Sequence, residues 1–165
     1  MIYTFSKATT KDVEKVFALV EKRIRWMDQN GIRQWNVTGY LEAYPIEYYK
    51  MQEQQEHLYV LHDQTEALVG AVVLLEEDDR WADRADSSAF YIHNLVTDSE
   101  VHGAGSSLIE EAEKRAMQSG KEYVRLDCAT DNSFLNQYYE DHGYLIAGTC
   151  KDGPYVGNRR EKKLY

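Results

Sequence analysis

The chain has 165 residues with 19 Lys+Arg against 28 Asp+Glu, a formal net charge of −9 at pH 7. That length fits one domain, residues 1–165, able to bury a core without a disulfide or metal staple, and the 43 % hydrophobic content with 13 Tyr, 3 Trp and 4 Phe excludes an intrinsically disordered chain. The acidic balance excludes a general nucleic-acid binder, which needs a basic face, and suits cationic partners such as amines.

Residues 2–6 alternate apolar and polar side chains, the period of a short strand. Thr9 and Thr10 are helix N-cap types, and Asp12 and Glu14 suit a first turn. Val13, Val16, Phe17, Val20, Ile24 and Met27 then recur at helical spacing, and Asn30-Gly31 marks the stop. The stretch 31–44 has no period and closes at Pro45, which is placed for the first turn of a second helix running to about residue 56. Two apolar runs, 58–61 and 67–75, flank a polar turn and predict an antiparallel hairpin. Residues 76–88 predict a solvated acidic loop, and 89–96 the next strand. Gly103 opens a helix whose inner face is Leu108, Ile109, Ala112, Ala116 and Met117, with Gly120 as its C-terminal stop. A strand at 123–128 follows. Next comes a short helix with Asn132 or Ser133 as cap and Phe134, Leu135, Tyr138 and Tyr139 as apolar face, ending at Gly143. Two strands, 144–150 and 160–165, close the chain around a Gly153-Pro154 turn. The order predicts an α/β (α+β) domain around a mixed sheet.

The longest uncharged apolar run, 67–75, is far too short for a membrane span, and the first twenty residues carry charges where a signal peptide needs an apolar core. The expectation is a cytoplasmic protein with no membrane partner. The two cysteines, Cys128 and Cys150, form no CxxC or Cys/His cluster, so free buried thiols and no metal are expected.

The chemistry concentrates at two places. Residues 94–107 read NLVTDSEVHGAGSS. A strand enters a Gly-x-Gly loop that opens a helix, which aims unpaired backbone N–H groups at one point and suits a pyrophosphate. Neither the Rossmann nor the P-loop pattern is met, since Leu108 stands where a third glycine is wanted and no lysine follows. After the next strand come Asn132, Leu135, Tyr139, Gly143 and Tyr144, spaced as Asn-x-x-Leu-x-x-x-Tyr-x-x-x-Gly-Tyr.

These two motifs, with a helix and a strand between them, resemble the GNAT superfamily of N-acetyltransferases, of uncharacterised bacterial type. That family carries (Arg/Gln)-x-x-Gly-x-(Gly/Ala) and, downstream, Asn-x-x-Ala-x-x-Leu-Tyr-x-x-x-Gly-Phe. The resemblance covers the element order of nearly the whole chain and is strongest from Tyr91 to Tyr144. It implies a mixed, mostly antiparallel central sheet of about six to seven strands flanked by about four helices. The Arg/Gln place falls on Glu100 in one register and on His102 in another, and the sequence leaves both open.

What the resemblance implies for the site runs as follows. Acetyl-CoA is the co-substrate, lying between strands 89–97 and 123–128. Leu95, Val96 and Thr97 offer main-chain groups to the pantetheine, and one strand N–H polarises the thioester carbonyl. His102, Gly103, Ala104, Gly105, Ser106 and Ser107 hold the pyrophosphate, and Asn132 bonds near the pantetheine. Tyr139 takes the general acid's place and protonates the departing thiolate; the bland alternative is a packed phenol bonded to a carbonyl. No covalent intermediate forms, so no nucleophilic side chain is required. His93 and Glu100 are the candidate bases or water-holders, with a structural histidine as the alternative for His93. Trp26, Trp35 and Tyr40 surround the stretch that roofs the acceptor site in the family, as an amine pocket or as lid packing. The expected function is acetyl transfer from acetyl-CoA to a primary amine of a small molecule or peptide. The alternative is an acyl-CoA-binding sensor without catalysis. The family admits a homodimer.

Overall fold

The structure, a computed structural model, describes residues 2–165. Its elements are β1 (Thr4–Lys7), α1 (Val13–Gln29), α2 (Tyr40–Ala43), α3 (Ile46–Gln54), β2 (Leu58–His62), β3 (Leu68–Leu75), a 3-10 helix (Asp79–Arg84), β4 (Ala89–Thr97), α4 (Ala104–Gln118), β5 (Tyr123–Ala129), α5 (Ser133–Asp141), β6 (Leu145–Asp152) and β7 (Tyr155–Lys163). The seven strands hydrogen-bond in the order β1-β2-β3-β4-β5-β7-β6, the expected mixed sheet. The helices number one single-turn element (α2) and the 3-10 helix more than expected. The chain divides into two compact units, Met1–Leu74 with Asn94–Ala112 and Leu75–His93 with Glu113–Tyr165.

In the first unit β1, β2 and β3 pair antiparallel. Leu58, Tyr59, Val60 and Leu61 of β2 are all buried, which explains why that run shows no polar alternation. The inner face of α1 is Val13, Val16, Leu19, Val20 and Met27. Its N-cap is Asp12 rather than Thr9 or Thr10, and the Asp12 side chain turns back to accept hydrogen bonds from Thr9 N (2.8 Å) and Oγ1 (3.0 Å). Pro45 is the N-cap of α3 instead of a first-turn residue, with extended backbone (ψ 174°), as a ring that fixes φ permits there.

In the second unit the first residues of β4 run parallel to β5, from Ala89↔Tyr123 to Tyr91↔Arg125. β7 is antiparallel to β5 on one side and to β6 on the other. β7 begins at Tyr155, five residues earlier than the sequence suggests. Gly157 and Asn158 are poor strand formers, but their backbone is held by Ala129 and Cys128 of β5 and by Cys150 and Thr149 of β6. Pairing on both edges overrides propensity.

The acidic segment 76–88 is largely exposed, as expected, but it is not a loop throughout. Its 3-10 helix buries Trp81 (1 % exposed) against Ala89, Tyr91 and Ala147. The guanidinium groups of Arg125 and Arg159 lie over the indole at 5.2 and 4.7 Å. Arg125 is itself enclosed, donating to Glu161, Tyr91 Oη, Ser87 and the Arg84 carbonyl. Asp83 pairs with Arg159, Glu76 with Lys121 and Arg84 with Glu161. The cations that pair with Glu76 and Asp83 are Lys121, which follows α4, and Arg159 of β7, beyond the reach of a local reading. Gly148 (φ 110°) makes the room: a Cβ there would meet Arg159 Nη2 at 2.7 Å.

Two apolar faces are narrower than expected. Met117 is exposed at 39 % because it lies a quarter-turn from Ala116, which is buried. On α5 only Tyr139 is buried; Leu135 and Tyr138 are half-buried and Phe134 is 75 % exposed. Trp81→Ala is expected to cost about 3–5 kcal/mol in urea unfolding, since it removes a filled ring site between two guanidinium groups. Phe134→Ala is expected to change stability by no more than about 0.5 kcal/mol in the same measurement.

Candidate active site

The parallel ladder between β4 and β5 ends at Tyr91↔Arg125, whereas β5 stays paired with β7 as far as Ala129↔Gly157. Beyond that point β4 carries an irregularity. Asn94 has φ 53°, the left-handed region, in mid-strand. Asn reaches that region more easily than most side chains, at a cost of order 1–3 kcal/mol that the surroundings must offset. Here they do so through its carboxamide. Tyr48 Oη donates to Oδ1 at 2.7 Å, and Nδ2 donates to Tyr40 Oη at 2.6 Å. Two hydrogen bonds at about 0.5–1.5 kcal/mol each match the cost.

Leu95, Val96 and Thr97 follow directly. Val96 is buried, and Leu95 and Thr97 are half-buried. Arg23 of α1 donates through Nη2 to the Thr97 carbonyl (2.7 Å) and Oγ1 (3.0 Å). Asp98 then turns the chain, accepting from Glu100 N at 3.0 Å. Lys22 bridges Asp98 (3.0 Å) and Glu100 (2.9 Å), so the Glu100 carboxylate is tied to a cation on α1. His102 is exposed, and its carbonyl accepts from Tyr3 Oη at 3.4 Å. Gly103 has φ 85°, and a Cβ there would meet nothing within 4 Å. α4 starts at the next residue, and its first intrahelical bond runs from Ser107 N to Gly103 O at 3.1 Å. The N–H groups of Ala104 and Gly105 lie in the first turn, where a helix has no acceptor of its own, and they favour an anion.

The aromatic residues around residues 31–48 form a chain of rings. Trp35 stacks on Tyr40 (4.2 Å, 10°), Tyr40 touches Tyr44 (4.8 Å), and Tyr44 meets Tyr48 edge-on (4.8 Å). Burial, helped by Tyr49, pushes the Tyr40 phenol well above its ordinary pKa, so it stays neutral. Trp26 stands apart from this stack, half-buried under the Arg23 guanidinium at 4.8 Å.

The remaining candidates lie in the second unit. Asn132 caps α5, its Oδ1 accepting from Leu135 N at 3.0 Å, and its Nδ2 makes no hydrogen bond among the described residues. Tyr139 is 8 % exposed, with Tyr138 and Tyr144 edge-on to its ring at 5.6 and 6.1 Å. Its hydroxyl makes no hydrogen bond among the described residues, so it is not tied to a carbonyl. Burial, reinforced by Cys128 and Tyr138, raises its pKa well above that of a free phenol, which keeps its proton on at neutral pH. Both cysteines are free, Cys128 buried and Cys150 half-buried. Burial pushes the Cys128 thiol up to about 11, so it is no thiolate nucleophile at neutral pH. Asn136 joins these groups: its Oδ1 accepts from Cys128 Sγ, Asn158 Nδ2 and Arg160 Nε. His93 Nε2 lies 2.8 Å from Asp78 Oδ2.

Of the residues singled out from sequence, Leu95, Val96, Thr97, the loop 102–107, Trp26, Trp35 and Tyr40 share the first unit, and His93, Asn132 and Tyr139 the second. Sequence reasoning missed Asn94, Tyr48, Arg23, Lys22, Asp78 and Asn136. Asn94 carried one local signal, a carboxamide inside an apolar strand. The others act through partners distant in sequence and carried none. Among the described residues no group of three or more His, Cys, Asp or Glu is placed to hold a metal ion.

Comparison with known proteins agrees with this geometry. Residues 29–144 match the acetyltransferase (GNAT) family. An uncharacterized N-acetyltransferase, YesJ of Bacillus subtilis (strain 168), is 28 % identical over 156 residues, covering 90 % of this chain and 85 % of that protein. A GNAT-family acetyltransferase from Listeria monocytogenes superposes with a TM-score of 0.83 at 24 % identity, over 98 % of this chain and 95 % of its own. The PaiA N-acetyltransferase from Thermoplasma acidophilum, solved in complex with coenzyme A, gives 0.76 at 18 % identity over 99 % of both chains. With the Asn94 strand, the glycine-led helix and the capped α5 in this order, the chain belongs to the GNAT family of acetyltransferases.

Proposed function

We propose that this protein, a single acetyltransferase-like domain of the cytoplasm, transfers the acetyl group of acetyl-CoA directly to a primary amine of a small molecule or peptide. The observation that carries the reading is the run from Asn94 to Ser107. A strand freed from its parallel neighbour passes through a left-handed Gly103 into an unobstructed helix N-terminus. That is a cradle for a strand-like arm ending in a pyrophosphate, which is how acetyl-CoA is built. Binding at the PaiA homologue supports the same co-substrate. Glu100 takes the family's Arg/Gln place in one of the two registers, and its pairing with Lys22 removes the repulsion a free carboxylate would exert.

In this reading the N–H groups of Ala104 and Gly105, with His102 and Ser106 and Ser107 beside them, hold the pyrophosphate. Main-chain groups of Leu95, Val96 and Thr97 align the pantetheine, and one of their N–H groups stabilises the oxyanion formed at the thioester carbon. Asn132 Nδ2, which makes no hydrogen bond among the described residues, adds a donor. The amine nitrogen attacks the thioester carbon, its proton passes to His93, the C–S bond breaks, and Tyr139 gives its proton to the sulfur. A buried phenol is a weaker acid than a free one. The same dry surroundings penalise the thiolate it protonates, so the two effects oppose each other and the transfer stays within reach. Trp35 and Tyr40, with Trp26 under Arg23, border the acceptor, and a homodimer is compatible with the family.

Acetyl-CoA at about a hundred times its Kd is expected to add about 2.7 kcal/mol, a rise in melting temperature of about 5–10 °C, and a nucleotide lacking pantetheine is expected to give much less. An unmoved melt would favour a GNAT fold that has lost its donor site. Gly105→Val places a branched side chain over the first turn of α4, and the acetyl-CoA shift should vanish while the circular dichroism is kept. Tyr139→Phe should lower turnover by about 10²- to 10⁴-fold in a free-thiol release assay against a panel of amines, with the acetyl-CoA shift preserved.

A further inference from the structure

We propose that Asp78 is a positioning residue that fixes His93 as the Nε2–H tautomer, leaving the Nδ1 lone pair to take the proton the attacking amine loses. This deepens the reading above and rests on His93 being the base.

The geometry of the pair carries it. Asp78 stands at the N-terminus of the 3-10 helix, and both its oxygens are used: Oδ1 accepts from Arg80 N at 2.9 Å, and Oδ2 faces His93 Nε2 at 2.8 Å. The two side chains are 9 % and 17 % exposed, so water does not compete for the contact. Burial works against ionisation of Asp78, but the His93 contact, the Arg80 N–H and the nearby Arg80 charge prevail and hold it below the ordinary carboxylate range. The Arg80 guanidinium does not compete for Asp78, because it is committed to Asp127 and Asp152. A carboxylate accepts hydrogen bonds and cannot donate them. A neutral imidazole facing it at hydrogen-bond distance must therefore carry its hydrogen on Nε2. Nδ1 is then the basic nitrogen, and it makes no hydrogen bond among the described residues.

The placement of the imidazole fits the task. His93 follows the last ladder pair of β4 with β5 by two residues and directly precedes the left-handed Asn94. Strand alternation puts it on the face of Ala89 and Tyr91, the face that Trp81 covers. When the amine gives up its proton, Nδ1 gains it and the imidazolium so formed has Asp78 against its other N–H. The carboxylate neither leaves nor becomes protonated. The proton passes to solvent from the exposed edge, and the pair is restored.

The test starts with nitrogen-15 NMR of the wild-type imidazoles at a pH where they are neutral. The chain has five histidines, and His93→Gln identifies the His93 signals by their loss. The expected result is hydrogen on Nε2. Hydrogen on Nδ1 overturns the proposal without reference to any acceptor. Asp78→Asn keeps the size and the Oδ1 acceptor for Arg80 N, but its NH2 donates to Nε2 and drives the hydrogen to Nδ1. In this variant the tautomer should switch and kcat fall by about 10²- to 10⁴-fold with the amine chosen from the panel, while KM and the acetyl-CoA shift stay within about twofold. An Asp78→Asn protein with wild-type kcat overturns the positioning role. If His93→Gln loses kcat at the same time, the base assignment stands without Asp78. If His93→Gln keeps wild-type kcat, His93 is not the base and both fall together.

Discussion

One residue in a left-handed conformation organises β4. Asn94 bends β4 just after its ladder with β5 has ended, and a strand that must offer its backbone to a ligand needs such a break. A glycine would reach the same φ freely, but nothing would hold it there. Asn94 is held, because Tyr40 and Tyr48 hydrogen-bond both ends of its carboxamide. The aromatic segment before β2 is therefore structural, beside the acceptor role proposed for it. Its stacked rings support the hydroxyls that keep β4 in shape. Tyr40 faces inward to do this, which makes its role different from that of an open cation–π wall.

The charges of this acidic chain are arranged by burial more than by sum. The net −9 says little about the acidic segment after β3, where Glu76 is matched by Lys121 and Asp83 by Arg159 of β7, and the segment's own Arg84 is matched by Glu161 of β7. Arg125 and Arg159 lie flat against Trp81, where a planar, weakly hydrated cation can be enclosed at modest cost if its N–H groups are used. Asp78 emerges from the same segment, so the packing that buries Trp81 also sets the carboxylate that faces His93. On the other unit Lys22 plays the comparable part, holding Asp98 and Glu100 at the mouth of the glycine turn.

Dry surroundings keep two side chains near the candidate chemistry neutral, one proposed to act and one idle. Tyr139 retains its proton because burial disfavours the phenolate, and its hydroxyl makes no hydrogen bond among the described residues. Cys128 nearby in sequence is silenced by the same burial. Direct transfer suits such a site. It asks for aligned donors and a proton relay, and for no charged nucleophile that would have to be desolvated.

The sequence by itself determined what depends on a few consecutive residues. The helical period of α1 and α4, the cap at Asn132, the turn at Gly153-Pro154, and the glycines before α4 were all legible, because hydrogen bonding and backbone freedom act over one or two turns. The family motifs were legible for the same reason. Tertiary structure alone decided what rests on distant partners. Tyr40 and Tyr48 lie 54 and 46 residues from the Asn94 they hold. Gly157 and Asn158 become strand because two neighbours pair with them, Trp81 is buried because two arginines arrive from later strands, and Phe134 stays exposed because α5 offers only one narrow face to the core. Pairing across the sheet and the burial it imposes are properties of the assembled chain, and no window of sequence contains both partners.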